Sequence, residues 1–200
     1  MAVITVSRQL GSLGREVGRL VADQLGYRFT WREMINEAAR RASTPEVALA
    51  TIDELDLLGL VPSTQACKAY CDAIQQVMTE LAREGNVVIV GRAGQIVLRD
   101  YPGVLSIRII APYELRAQRT AARQGITLEA ARSQVEASDN HRRAYLQRVY
   151  QAQWDDPMLY DLVLNTAKFT VQEAANIICP LALQYSAART SNSSHTGGAR

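Results

Sequence analysis

VSRQLGSLGREVGRLVADQLG, Val6 to Gly26, sets the fold of this chain. It follows the apolar run Ala2–Val6 (AVITV), which reads as a short buried strand. A Gly/Ser-rich turn comes next, and then a helix from Arg15 to Leu25. Val17, Leu20, Val21 and Leu25 share one face of that helix and Gly26 stops it. Strand, glycine turn and helix in that order form a phosphate-cradling layout, because backbone amides at a helix N-terminus attract anions. The standard pattern G-x-x-x-x-G-K-[ST] is nevertheless not met. With Gly14-Arg15 laid on the G-K step, Gln9 falls where the first Gly belongs and Glu16 where the hydroxyl belongs.

The chain has 200 residues, 48% of them apolar, enough for one sizeable core. Its net charge of +2, from 22 basic and 20 acidic residues, is too balanced to indicate a polyanion binder, so no nucleic-acid partner is expected. Lys68 and Lys168 are the only lysines, so no lysine near the N-terminal loop can take the phosphate-lysine role. Arginine differs from lysine in gripping phosphate with a planar two-pronged fork. Cys67, Cys71 and Cys179 form no CxxC pair, and with two histidines in the chain they read as buried thiols of a reducing cytoplasm, with no metal site. No signal peptide or membrane-length apolar run is present, and a cytoplasmic location is expected.

Further along, Tyr27–Phe29 reads as a brief strand and Trp31–Arg41 as a helix. Pro45 opens another helix whose extent, over Ala48–Leu60, the pattern leaves undefined. Ala66–Arg83 is amphipathic, with Ala66, Ala69, Ala73, Ile74, Val77 and Leu81 on one face, and Gly85-Asn86 ends it. Val87–Val90 (VVIV) is apolar throughout, as in a parallel strand buried on both faces. Val104–Ile110 is another strand, and Pro112 starts a helix. Thr127 caps a long Arg-rich helix towards Tyr150, and Asp161–Leu164 is the last strand. Thr170 and Glu173 make a capping box for a terminal helix that Pro180 bends or shortens. The domain is expected to span 1–186, with 187–200 a disordered tail. Strands alternating with helices predict an α/β fold in three layers, with a mostly parallel five-stranded sheet and ligands at the carboxyl ends of its strands.

Gly91-Arg92 follows the VVIV strand, the helix APYELRAQRTAARQG follows Val104–Ile110, and DNHRRAY (Asp139–Tyr145) and WDDPMLYDLVLNT (Trp154–Thr166) come after. In this order they resemble the cytidylate kinase-like family, a divergent branch of the P-loop nucleoside monophosphate kinases. Its loop pattern S-R-x-x-G-S-x-G-R-E is met by Ser7, Arg8, Gly11, Ser12, Gly14, Arg15 and Glu16. The resemblance implies that the missing lysine is a property of the branch. The resemblance covers nearly all of the chain before the tail, apart from Pro45–Thr64.

The resemblance implies a P-loop kinase that moves the γ-phosphoryl of ATP, with Mg²⁺, to a nucleoside monophosphate. Gly11, Ser12, Leu13, Gly14, Arg15 and Glu16 would form the donor site. Arg92, Asp139 and Arg142 would hold the acceptor, while Arg15, Arg116, Arg119 and Arg142 would act on the transferring group. Arg123, Arg143 and Arg148 are further lid candidates, and the lid would span about 114–155. Seven arginines against four acids between Glu114 and Tyr150 favour anion binding there. The alternative is a solvated helix whose arginines pair with Glu129, Glu136 and Asp139.

Two positions depart from the family. Ala93 replaces the Asp of a G-R-D step, and Trp31 stands where an acid is usual. Trp31 is open to two readings, stacking on a base or partly buried core. Asp156 is either a functional acid or the cap of a short helix. Other functions remain open as well: a kinase of another small metabolite, a non-catalytic nucleotide sensor, or a homo-oligomer of any of these.

Overall fold

The structure, a computed structural model, describes residues 2–45 and 63–193, the side chains of 186–193 excepted. The helix expected after Pro45 falls on 46–62 and lies outside the described residues, as does 194–200. Strands β1 (Val3–Arg8), β2 (Arg28–Thr30), β3 (Val87–Val90), β4 (Val104–Ile110) and β5 (Leu162–Asn165) form one sheet. Its order is β2-β3-β1-β4-β5 and every pairing is parallel. The order steps outward from β1 in both directions, so the end of β1 lies at the switch point where such sheets bind ligands.

The two faces of the sheet follow from the two-residue period of a strand. Val87 and Ile89 pack with Met34, Ile35, Ile74 and Met78, from helices α2 (Arg32–Ala42) and α3 (Thr64–Glu84). Val88 and Val90 face the other way, onto Val17 and Val21 of α1 (Gly14–Leu25) and Ile178 of α7 (Val171–Ser193). All four residues of β3 are buried, which is why VVIV carries no polar position.

Beyond β3 the chain makes a turn that the sequence does not announce. Gly91, Arg92 and Ala93 all take left-handed φ values, 81°, 56° and 57°, before the one-turn helix α4 (Gly94–Val97). After β4 come α5 (Tyr113–Gln124) and α6 (Leu128–Tyr150), an antiparallel pair with Thr127 capping the second. An Arg132–Glu114 ion pair of 2.8 Å tethers them.

Asp161 precedes β5, because its carboxylate and N–H both pair with the backbone of Ser106, each at 2.7 Å. Asp156 caps the 3₁₀ turn Pro157–Leu159, its side chain accepting from Met158 N–H at 2.9 Å. The Thr170–Glu173 capping box is formed on both sides. Pro180 lies inside α7, and the described helix runs to Ser193, past the Ser186 at which the tail was expected to begin.

Candidate active site

The loop from Gln9 to Leu13 leaves the end of β1 and enters α1. Gln9 pins it to β4 by donating its N–H to Ile109 O (3.2 Å) and accepting from Ala111 N–H at its side-chain oxygen (3.1 Å). Ser12 closes it, with both N–H and hydroxyl donating to Gln9 O, at 3.3 and 2.9 Å. Gly11 has φ 77°, and a Cβ there would sit 2.5 Å from the Arg116 carbonyl oxygen. Only glycine allows the loop to pack this closely on α5. Leu13 is the N-cap of α1 in a left-handed conformation and supplies no side-chain bond, so the first-turn amides retain their capacity for an anion.

Thr166, just past β5, holds the loop from the other side. Its buried hydroxyl donates to Ser12 O (2.9 Å) and accepts from Arg119 Nη1 (2.9 Å), while Arg119 Nη2 donates to Thr166 O (2.8 Å). Arg119 therefore reaches the loop through Thr166. Arg116 is more deeply committed, being 4% exposed. Its Nε donates to Ala111 O (3.0 Å), Nη1 to Leu10 O (3.3 Å) and Nη2 to Asp139 Oδ2 (2.9 Å). One guanidinium thus joins β4, the loop and α6.

The expected acceptor pair Asp139 and Arg142 is brought together loosely, at 4.0 Å, and Asp139 is buried against Arg116. Arg142 donates to Ser138 Oγ (2.5 Å). Arg143 binds Asp155 (2.9 Å), and Arg92 lies 5.6 Å from the Tyr145 ring centre. Of the pairings anticipated for a solvated lid helix, Asp139 is used, but by Arg116 from the neighbouring helix.

Glu16 turns to Arg123 of α5, at 3.5 Å. Arg15 is exposed and stacks 5.0 Å from the Trp31 ring centre, with Arg32 on the same ring at 4.5 Å. Trp31 is half-buried and packs against the core shared by α1 and α7.

One buried arginine near the site escaped the sequence reading. Arg108, 5% exposed in the middle of β4, binds the Trp154 carbonyl, Tyr160 Oη and Asp155, and lies over the Trp154 ring at 4.4 Å. Trp154 Nε1 donates in turn to Ser7 Oγ (3.0 Å). The signal was an arginine inside the apolar strand VLSIRII, where an unpaired charge would be costly. Burial pushes the Asp155 carboxyl upward, but hydrogen bonds and charge from Arg143 and Arg108 outweigh it and hold the group below its ordinary value. Burial raises the Tyr145 and Tyr150 phenols, which stay neutral.

Among the described residues no three His, Cys, Asp or Glu side chains converge. Glu16 is engaged by Arg123, and Glu33 Oε2 accepts the Trp31 N–H at 3.1 Å. Mg²⁺ at a kinase site needs only one or two carboxylates besides substrate phosphates and waters, so Glu16 and Glu33, which line the cleft beside Arg15, would be the side chains to meet it.

With this geometry in place, comparison with known proteins decides the family. Residues 3–168 match the cytidylate kinase-like family. The chain belongs to that family. It is 26% identical over 184 residues to a cytidylate kinase of Methanocaldococcus jannaschii, covering 88% of this chain and 94% of the relative. It is 31% identical to one from Pyrobaculum arsenaticum, covering 88% and 90%. A solved structure of an uncharacterized protein from Eubacterium ventriosum aligns with TM-score 0.72 at 21% identity, over 91% of this chain and 98% of that one. A shikimate kinase from Bacteroides thetaiotaomicron (TM-score 0.53, 12% identity) covers 90% and 97%, and a gluconokinase from Sinorhizobium meliloti (0.52, 17%) covers 98% of both chains. This cytidylate kinase-like chain therefore has the P-loop α/β/α fold. No helix among the described residues is long and apolar enough to cross a membrane.

Proposed function

We propose that the chain transfers the γ-phosphoryl group of ATP to a nucleoside monophosphate, CMP-like by default. The observation that carries this reading is the α1 N-terminus, which lacks a side-chain cap and opens from a loop clamped by Thr166 and Arg116, in a member of a kinase family. Amides of Gly11–Gly14, with Arg15, hold the donor phosphates. Arg92 and Arg142 grip the acceptor phosphate, and the pair α5–α6 serves as the lid. Arg116 and Arg119 act as positioning residues: their donors fix the loop, and their charge adds to the field around it. The acceptor phosphate is already ionised at neutral pH, so no side-chain base is required. Positioning and charge stabilisation then supply the rate enhancement.

Titration calorimetry of ATP against the parent and Arg15→Ala tests the donor site, and ADP release with a panel of monophosphates tests the reaction. Arg15→Ala is expected to bind ATP about tenfold or more weakly, the scale of one charge-assisted hydrogen bond, with its fold intact. Unchanged affinity would overturn the donor assignment. Tight ATP binding without transfer to any acceptor would make the chain a nucleotide sensor.

A further inference from the structure

Arg8 is the last residue of β1, and two glycines mark the course of its side chain. A Cβ on Gly14 would lie 2.4 Å from Arg8 Cβ and 3.3 Å from its Cγ, so the stem runs along the loop where α1 begins. A Cβ on Gly91 would lie 2.7 Å from Arg8 Nη1 and 3.3 Å from its Cζ, so the head rests against the turn that carries Arg92. Neither glycine can take a side chain without moving this arginine. The strands β1 and β3 lie side by side here, with Gly91 N–H donating to Val6 O at 3.0 Å. One half-buried side chain thus spans their two ends, at the switch point of the sheet.

The two ends of that span belong to different halves of the proposed reaction, Gly14 to the donor loop and Gly91-Arg92 to the acceptor side. Other arginines around the loop are committed. Arg15 rests on Trp31, Arg116 gives its donors to Ala111 O, Leu10 O and Asp139, and Arg119 gives two to Thr166. In the transfer, an acceptor phosphate oxygen bonds to the γ-phosphorus as the bond to the β–γ bridging oxygen breaks. The electron pair of that bond stays on ADP, and no proton moves. Charge spreads over the equatorial oxygens between the two sites, where a fixed cation stabilises the transition state more than either ground state. The planar fork of a guanidinium suits the place, since it can donate to oxygens of two neighbouring phosphates at once.

We propose that Arg8 is a catalytic residue, the cation that bridges the donor and acceptor phosphates during transfer. The inference rests on the kinase reading given above. It adds a group that acts on the migrating phosphoryl from β1, outside the loop and outside the lid, and contributes little to holding ATP by itself.

Steady-state ADP release with the monophosphate that the parent phosphorylates fastest, together with ATP calorimetry and thermal unfolding, tests it in Arg8→Ala and Arg8→Lys. Arg8→Ala is expected to lower kcat about a hundredfold or more while ATP affinity stays within about threefold of the parent's. Guanidinium chloride added below denaturing concentration should restore part of that kcat, which it would not do for a side chain that only ties the loop to the turn. Arg8→Lys keeps the charge and loses the fork, so it should fold like the parent and still lose about tenfold or more in kcat. Unchanged kcat in either variant, a loss of ATP affinity as large as the loss of kcat, or no rescue by guanidinium would overturn the inference and leave the kinase reading standing. A parent that binds ATP but phosphorylates no monophosphate, or binds no ATP, would overturn the kinase reading and this inference with it.

Discussion

Arg116→Ala separates a structural role from a direct catalytic one. In the folded chain Arg116 and Asp139 form a 2.9 Å ion pair with side chains 5% and 7% exposed. Removing one partner of such a pair leaves the other charge buried, at a cost of about 3–5 kcal/mol. The backbone oxygens of Ala111 and Leu10 lose their donors as well. Arg142, 4.0 Å from Asp139, can recover part of the loss and places the expected value near the lower end. For a chain of this size each kcal/mol shifts the melting temperature by about 2–4 °C, so a fall of about 6–12 °C is expected for ~3 kcal/mol.

Scanning calorimetry or urea unfolding without nucleotide measures this shift. Arg123→Ala is the control: its pair with Glu16, 45% and 35% exposed, should contribute no more than about 1 kcal/mol. The double variant Arg116→Met, Asp139→Leu should recover the part of the loss due to the unpaired carboxylate, because apolar groups replacing a buried pair are often neutral or stabilising, but not the bonds to Ala111 O and Leu10 O. If Arg116→Ala melts within about 1 °C of the parent, the side chain does not tie β4, the loop and α6, and the positioning role assigned to it is wrong.

Two further outcomes follow from backbone and charge. Gly11→Ala must place a methyl 2.5 Å from the Arg116 carbonyl at φ 77°, whereas Gly26→Ala, at φ 66°, has no atom within 4 Å. Gly26→Ala should cost about 1–2 kcal/mol, the left-handed penalty alone, and Gly11→Ala distinctly more, together with weakened ATP binding, as read by urea unfolding and calorimetry. Asp155 is held below its ordinary 3.8. The stability it contributes is present above that value and is lost as pH falls through its folded-state value, so Asp155→Asn should flatten the acid limb of a stability–pH curve below about pH 4. An unchanged acid limb would remove Asp155 from the Arg108–Arg143 cluster.

The sequence alone determined most of the strands and helices and their layering, but not the turn and short helix after β3. VVIV read as a strand buried on both faces, the Val17–Leu25 stripe as a helix packed by one face, and Thr127 and Thr170 as helix starts, and the structure places each there. These features are local, set by periods of two and 3.6 residues and by caps within one turn. The loop Gln9–Gly14 was legible for the same reason. The roles of the arginines were not, because a guanidinium's partner lies far away along the chain. Arg116 meets Asp139 23 residues on, Thr166 meets Ser12 across 154, and Trp154 reaches Ser7 across 147. Arg116 does not differ in sequence from an exposed arginine until the fold buries it beside Asp139, whereas Arg108 stood out only by its place in an apolar strand. Tertiary structure alone turned Glu16 away to Arg123 and set Arg15 on Trp31. The physical reason is that hydrogen bonds and ion pairs act over a few ångströms, and only the packing of β1, β4, α5 and α6 brings those groups that close.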